Sequence, residues 1–173
     1  MFEIALYGGA FNPPHAGHAQ VMIEASRHAR RVLVAPSFRH PYGEQMIDYE
    51  VRLNWLESVV DNIQPLCRAE VRASRVEQVV ARGVEGPIYS YTLLAHLADS
   101  LALDGKRIAL VVGEDVADLL PTFYRGQALL EGGVLDLLLV AGLGGLARLL
   151  GRLARLVVLD LLRPLETLVD GLL

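Results

Sequence analysis

Residues Tyr7–His18 read YGGAFNPPHAGH and follow the apolar run FEIALY (Phe2–Tyr7) without a break. Twelve residues hold two adjacent glycines, two adjacent prolines and two histidines three apart, more than a core strand or an ordinary turn needs. Gly8 and Gly9 remove side chains where the chain must turn sharply and where a ligand must approach backbone amides. Pro13 and Pro14 stiffen the loop and keep it out of the helical region until His15. His15 and His18 then project to the same side of a starting helix. The free amides and positive dipole end of that helix favour an anion, and two imidazoles beside it suit phosphate charge, above all charge that grows in a transition state. The pattern is neither GK[ST] nor GxGxxG. The histidines could instead bind zinc, but His28, His40, His96 and Cys67 are scattered and supply no third ligand at a convincing spacing.

Working outward, FEIALYG is a short buried strand, and HAGHAQVMIEASRHARR has helical periodicity with Val21, Met22 and Ala25 on one face. RVLVAP is a second strand, stopped by Pro36. DYEVRLNWLESVVDNI is an amphipathic helix carrying Val51, Leu53, Trp55, Leu56 and Val59. CRAEVRAS is a third strand, and SYTLLAHLADSLAL is a helix separated by Gly105 from RIALVVG, a fourth strand of the fully buried kind. Strands alternating with helices indicate an α/β fold: a doubly wound parallel sheet of about five strands with helices on both faces. Ligands of such sheets sit beyond the carboxyl ends of the strands, where both the opening motif and GEDVADL fall.

The 173 residues are expected to form one domain, with an atypical stretch at 131–173. From Glu131 onward there are no aromatics and no Ser, Asn, Gln, His or Lys, and well over a third of the residues are Leu. VLDLLLVAG is expected as a fifth strand and LARLLGRLARLVV as a helix with Arg148, Arg152 and Arg155 along a solvated side. No run is long and apolar enough for a bilayer, and no signal-peptide pattern precedes the first strand, so neither membrane nor export is expected. One cysteine, Cys67, fits a reducing cytoplasm. A net charge of −4 argues against a nucleic-acid polymer as partner. A homo-oligomer is left open.

GGAFNPPHAGH resembles the GG(S/T)F(D/N)PxHxGH element of HxGH-type nucleotidyltransferases, most closely the bacterial nicotinate (or nicotinamide) mononucleotide adenylyltransferases. VLVAPSFRHPYG, GPIYSYTLLAHL and IALVVGEDVADLLPTFYRGQALLE are similar to three further segments of that family, so the resemblance covers about residues 1–131. It implies a Rossmann-like fold and direct attack of a mononucleotide 5′-phosphate on the α-phosphate of ATP, accompanied by Mg²⁺, giving a dinucleotide of the NAD pathway and pyrophosphate. By the same resemblance His15 and His18 are the catalytic pair on the ATP phosphates. Gly8, Gly9, Ala10 and Phe11 line the ATP pocket through their backbone, and Gly113 and Asp115 border its adenosine side. Tyr89, Tyr91 and Thr92, with Phe123 or Tyr124 as the stacking aromatic, face the pyridine mononucleotide.

The chain departs from the family pattern in three places. Glu44 stands where a phosphate-binding lysine is expected, leaving Arg39 or His40 to compensate. TFYRG lacks the family's tryptophan. PLETLVDGLL (Pro164–Leu173) retains Thr167 of an ISSTxIR-like phosphate motif but not its serines or arginine. Two alternatives therefore stand beside the leading reading: transfer to another phosphorylated acceptor such as phosphopantetheine, or a nucleotide-binding homologue with impaired turnover.

Overall fold

The computed structural model describes residues 1–40, 43, 45–103, 107–113, 116, 119–130, 136–140 and 156–159. The chain runs β1 (Ile4–Gly9), α1 (Ala16–Ala25), β2 (Arg31–Pro36), α2 (Tyr49–Ile63), β3 (Glu70–Ala73), α3 (Val76–Val80), α4 (Ser90–Ser100), β4 (Ile108–Gly113), α5 (Gly126–Leu130), β5 (Asp136–Val140) and β6 (Leu156–Leu159). Among the described residues six strands form one sheet in the order β3-β2-β1-β4-β5-β6, and every pairing is parallel. The described strands thus number six rather than about five, four of them (β1–β4) complete by Gly113. The doubly wound α/β class expected from the alternation holds.

Alternation along the central strands sends side chains to two cores. Ile4, Leu6, Ile108, Leu110 and Val112 pack with Leu93, Leu94 and Leu97 of α4. Ala5, Ala109 and Val111 pack on the other face with Met22 of α1 and Leu56 and Val60 of α2. Leu6, Leu94 and Ile108 have no exposed surface, and each such side chain contributes about 1.5–3 kcal/mol relative to leaving it in water.

Strand register opens the crevice in which a ligand can sit. β1 pairs with β2 as far as Gly9↔Pro36, and β4 with β5 as far as Gly113↔Val140. Between β1 and β4, however, pairing stops at Leu6↔Leu110. Strand order reverses at this junction, since the chain builds β2 and β3 on one side of β1 and returns to place β4 on the other. The ends Tyr7–Gly9 and Val111–Gly113 therefore face each other across a gap instead of a ladder.

Two expectations from periodicity need correction. On α2 the buried residues are Tyr49, Arg52, Leu53, Leu56, Val60 and Ile63, whereas Val51 and Trp55 are each 38% exposed. The inward face is rotated because an arginine occupies it. Leu156–Val158, expected at the end of a helix, belong instead to strand β6. A short apolar run is ambiguous by periodicity, and in a parallel sheet the β-branched Val157–Val158 pair favours strand. The rest of that expected helix, with Arg148, Arg152 and Arg155, lies outside the described residues, as does Gly105.

Arg52 is 1% exposed and spends its guanidinium on three backbone carbonyls. Nε donates to Ile47 O at 2.7 Å, Nη1 to Ala10 O at 2.7 Å and Nη2 to Ser37 O at 2.8 Å. α2 starts beside it on an Asp48 cap whose carboxylate accepts from the amides of Glu50 and Val51. The segment after β1, the segment after β2 and the entry to α2 are thus fastened at one point. Arg52→Met should lower the unfolding free energy by at least about 2 kcal/mol, because it leaves buried carbonyls unpaired. Val51→Ala, one position away on the exposed side, should stay within about 0.5 kcal/mol. Urea titration of both variants decides: equal midpoints would show that water replaces the guanidinium without loss.

Candidate active site

The opening motif folds for reasons its composition only partly shows. Gly8 and Gly9 lie inside β1, and neither is among the positive-φ residues, so the sharp turn is not theirs. It falls at Phe11, which adopts φ +47°, a left-handed conformation that side-chain-bearing residues rarely hold. That strain is offset by burial: Phe11 is 1% exposed, with its ring edge-on to Tyr7 at 5.4 Å and to His18 at 4.9 Å. What the glycines do supply is space. A Cβ built at Gly8 would meet nothing within 4 Å, and both glycines line the cavity described below.

His15 caps α1 in extended conformation, and its backbone N–H donates to Nδ1 of His18 at 3.1 Å. The two imidazoles lie 3.7 Å apart at 31°. Gly17 is what admits this pairing, since a Cβ there would approach the His15 ring to 3.1 Å. Because Nδ1 accepts, neutral His18 carries its proton on Nε2 and presents a donor. Burial, and next the neighbouring His15, push the His18 pKa down to about 4. No acidic residue occupies the first turn of α1, so nothing there competes with an incoming anion.

Beyond the strand ends the crevice divides into two lobes with a common wall of Gly8, Gly9, Ser90, Leu110, Val116 and Phe123. One, of about 260 Å³, is lined further by Tyr7, His18 and Gly113. The other, of about 320 Å³, is lined by Ala10, Ser37, His40, Glu77, Tyr89 and Tyr124 among others. Tyr89 and Tyr124 stack at 4.6 Å and 22°. Behind them Arg125 sits 5.0 Å over the ring of Tyr91 and donates to its hydroxyl at 3.4 Å.

The expected residues are therefore distributed unevenly. Gly8, Gly9 and Phe123 reach both lobes, His18 and Gly113 the smaller one, and Ala10, His40, Tyr89 and Tyr124 the larger one. His15 stands exposed beside His18. Phe11 lines neither lobe, since its ring belongs to the core. Tyr91 and Thr92 line neither, because the helical turn that points Tyr89 and Ser90 inward turns them aside. Arg39, expected to compensate for a missing lysine, is committed elsewhere: its guanidinium donates to the carbonyls of Val84 at 2.7 Å and of Gly86 and Ala81 at 3.4 Å. Glu44, Asp115 and Thr167 lie outside the described residues.

Three residues escaped the sequence reading. Ser90 lies between the two tyrosines named from the sequence and lines both lobes, and Arg52 hides at an apolar position of α2. Glu77 is 4% exposed, and its Oε2 accepts from the Phe38 amide at 2.6 Å. Burial pushes its pKa up to about 7, against the pull of the Phe38 and Arg39 amides and the charge of Arg52. A signal existed for Arg52 alone, three residues after Tyr49 and four before Leu56 on one helical stripe. Among the described residues no group of three or more His, Cys, Asp or Glu could hold a metal ion, and no helix is long and apolar enough to cross a membrane.

Known proteins resemble this chain in sequence and in fold. The cytidylyltransferase-like family model matches residues 6–132. A curated relative in Anaeromyxobacter dehalogenans strain 2CP-C, named a probable nicotinate-nucleotide adenylyltransferase, is 35% identical over 136 residues, 75% of this chain and 66% of its own length. One of the same name in Myxococcus xanthus is 31% identical over 140 residues, 78% and 68% of the two lengths. The chain spans a little under two thirds of the Anaeromyxobacter relatives. Among solved structures, a Vibrio parahaemolyticus protein with a nicotinate-nucleotide adenylyltransferase designation is 26% identical, with a TM-score of 0.63 over 82% of this chain and 74% of its own. The Plasmodium falciparum nicotinic acid mononucleotide adenylyltransferase complexed with NaAD, 16% identical with a TM-score of 0.69 over 85% and 68%, shares the fold. A parallel sheet opened at its switch point, an HxGH helix start on one side of the opening and stacked tyrosines on the other thus occur in a chain that belongs to the cytidylyltransferase-like family and, within it, to the nicotinate-nucleotide adenylyltransferases.

Proposed function

We propose that this protein transfers AMP from ATP to nicotinate mononucleotide, or to nicotinamide mononucleotide, releasing pyrophosphate and giving the dinucleotide of NAD biosynthesis. The observation that carries the reading is the pair of lobes sharing the Gly8–Gly9 wall, with His18 in one and the Tyr89–Tyr124 stack in the other. Two substrates must meet for direct transfer, and a shared wall that carries no side chain at Gly8 and Gly9 lets them approach there. The triphosphate belongs beside His18 and the start of α1. The pyridine ring belongs against the tyrosines, whose faces suit an electron-poor aromatic.

In this reaction an oxygen of the mononucleotide 5′-phosphate bonds to the α-phosphorus as the bridge to the β-phosphate breaks, and pyrophosphate carries the electron pair away. No proton has to be removed from the nucleophile, so the protein contributes position and charge stabilisation. His18 donates from Nε2 and His15 holds it in that tautomer through the backbone amide. Mg²⁺ enters with ATP as part of the substrate, offsetting triphosphate charge that the described protein groups meet with few cations. The single cysteine and the reaction class fit a cytoplasmic enzyme.

Purified protein with Mg·ATP and either mononucleotide should release pyrophosphate, and phosphopantetheine should not substitute. Binding of ATP and mononucleotide with no pyrophosphate from any acceptor would leave a nucleotide-binding homologue and end the enzymatic reading. His18→Ala should lower turnover roughly 100-fold with folding intact, on the scale of one transition-state donor. An unchanged rate would remove His18 from the reaction.

The titration of His18 follows from its surroundings. Its lowered pKa means that between about pH 4 and 6.5 the unfolded chain binds more protons at this site than the folded one. Its contribution to stability therefore rises with pH across that window and is lost as pH falls through 4. Proton NMR should place the ring's midpoint near 4 in the free protein, and ATP should move it upward, because a nearby anion favours the charged imidazole. A midpoint that ATP leaves in place would put the triphosphate elsewhere.

A further inference from the structure

The larger lobe contains a group that the transfer reaction does not use. Glu77 is the one carboxyl among the described residues lining it, and it is almost wholly out of solvent. Its Oε2 holds the Phe38 amide, which fixes the carboxyl in the wall next to Ser37 and His40. The stacked rings of Tyr89 and Tyr124 line the same lobe, with Ile88 and Leu93 as apolar lining. An aromatic ring laid against the tyrosines therefore shares the lobe with Ser37, His40 and Glu77 as polar neighbours for a ring substituent, and among the described lining residues Glu77 is the one carboxyl.

We propose that Glu77 makes this lobe sense the charge on the acceptor's ring substituent: a ring carboxylate binds together with a proton held on Glu77, whereas a ring carboxamide binds without one. This rests on the functional reading above and deepens it. Two carboxylates cannot share a desolvated site unless one is neutral, while a carboxamide donates its NH₂ to an ionised carboxylate and accepts from a neutral one.

The groups facing Glu77 fit a proton held near neutrality. From α2 come the cation of Arg52, already bound to three carbonyls, and the buried phenol of Tyr49. The segment after β2 contributes the amides of Phe38 and Arg39 and the ring of His40, with the Arg39 guanidinium turned away onto the carbonyls of residues 81, 84 and 86. At the cap of α3, Arg75 is paired with Glu50. From the start of α4 comes Tyr89. Burial outweighs these attractions and brings the carboxyl to about 7.

Calorimetric titration of the whole protein with nicotinate mononucleotide and with nicotinamide mononucleotide, from pH 6 to 8.5, tests this. The two ligands carry the same 5′-phosphate, so their difference isolates the ring. Nicotinate mononucleotide should weaken about tenfold per pH unit above 7, the slope of one proton taken up on binding, while nicotinamide mononucleotide changes less than about threefold. Glu77→Gln should flatten the nicotinate profile and leave the other unaltered. Parallel profiles for the two ligands, or a slope that survives in Glu77→Gln, would overturn the role of Glu77 while leaving the adenylyltransferase reading standing. Binding of neither mononucleotide at any pH would overturn both.

Thermal unfolding of the variant supplies the folding control. The raised pKa of Glu77 means that its contribution to stability is present below about pH 4.5 and is lost as pH rises through 7, so Glu77→Gln should melt at or above the wild-type temperature at pH 8.

Discussion

The guanidinium of Arg52 lies beneath the mouth of the crevice, out of solvent, and donates to the carbonyls of Ala10, Ser37 and Ile47. A planar fork with donors on three nitrogens suits such a task, and a lysine ammonium on a flexible stem does not. Each of the three carbonyls belongs to irregular backbone, where no ladder supplies a partner, and a buried carbonyl without one costs on the order of 1–3 kcal/mol. When ionised, the nearby Glu77 carboxylate offsets part of that buried charge. The loop carrying Phe11 and the loop carrying His40 are therefore set relative to each other by a side chain that touches neither lobe.

Given that fastening, the crevice is a matter of register. β1 and β4 are central strands that separate after three paired positions, while their outer partners follow them to the end. Opposed strand ends that do not pair are where backbone polar groups become available to a ligand. Small residues finish the job: Gly8 and Gly9 leave the shared wall bare, and Ala5 beside Ala109 lets the helices of the other face pack close.

Much of this was legible in the chain. The alternation of RVLVAP, DYEVRLNWLESVVDNI and RIALVVG gives β2, α2 and β4 nearly residue by residue, because apolar runs bounded by proline, an aspartate cap and glycine leave little freedom. The HxGH motif announced an anion site, and its two histidines do meet. What was not legible depends on tertiary contacts. The Tyr49–Arg52–Leu56 spacing hints that Arg52 rather than Trp55 faces inward, but what holds it there is the carbonyls of Ala10, Ser37 and Ile47, two of them more than ten residues away. Arg39 looked like a spare cation because its acceptors lie beyond residue 80 in the sequence. Glu77 sits in the featureless stretch SRVEQVV, and only the packing of α3 against the segment after β2 makes it a cavity residue. The glycines were read as turn-makers, but the turn is imposed on Phe11 by the burial of its ring.

Across the shared wall, two titratable groups are displaced in opposite directions by the same cause. Burial drives His18 down to about 4 and Glu77 up to about 7, so both tend toward the uncharged form near neutral pH. Fixed charges would have to be desolvated when the cavity fills, whereas neutral donors and acceptors held by backbone contacts need no reorganisation. In the proposed reaction a triphosphate beside His18 would favour the imidazolium, and an acceptor carboxylate beside Glu77 would favour the neutral acid. Each substrate would thereby draw in the proton that suits it, one adding a positive charge beside the phosphates and the other removing a negative one beside the ring. With Arg39 committed to backbone carbonyls, proton uptake of this kind is a way for the site to meet phosphate charge without spending a buried cation on it.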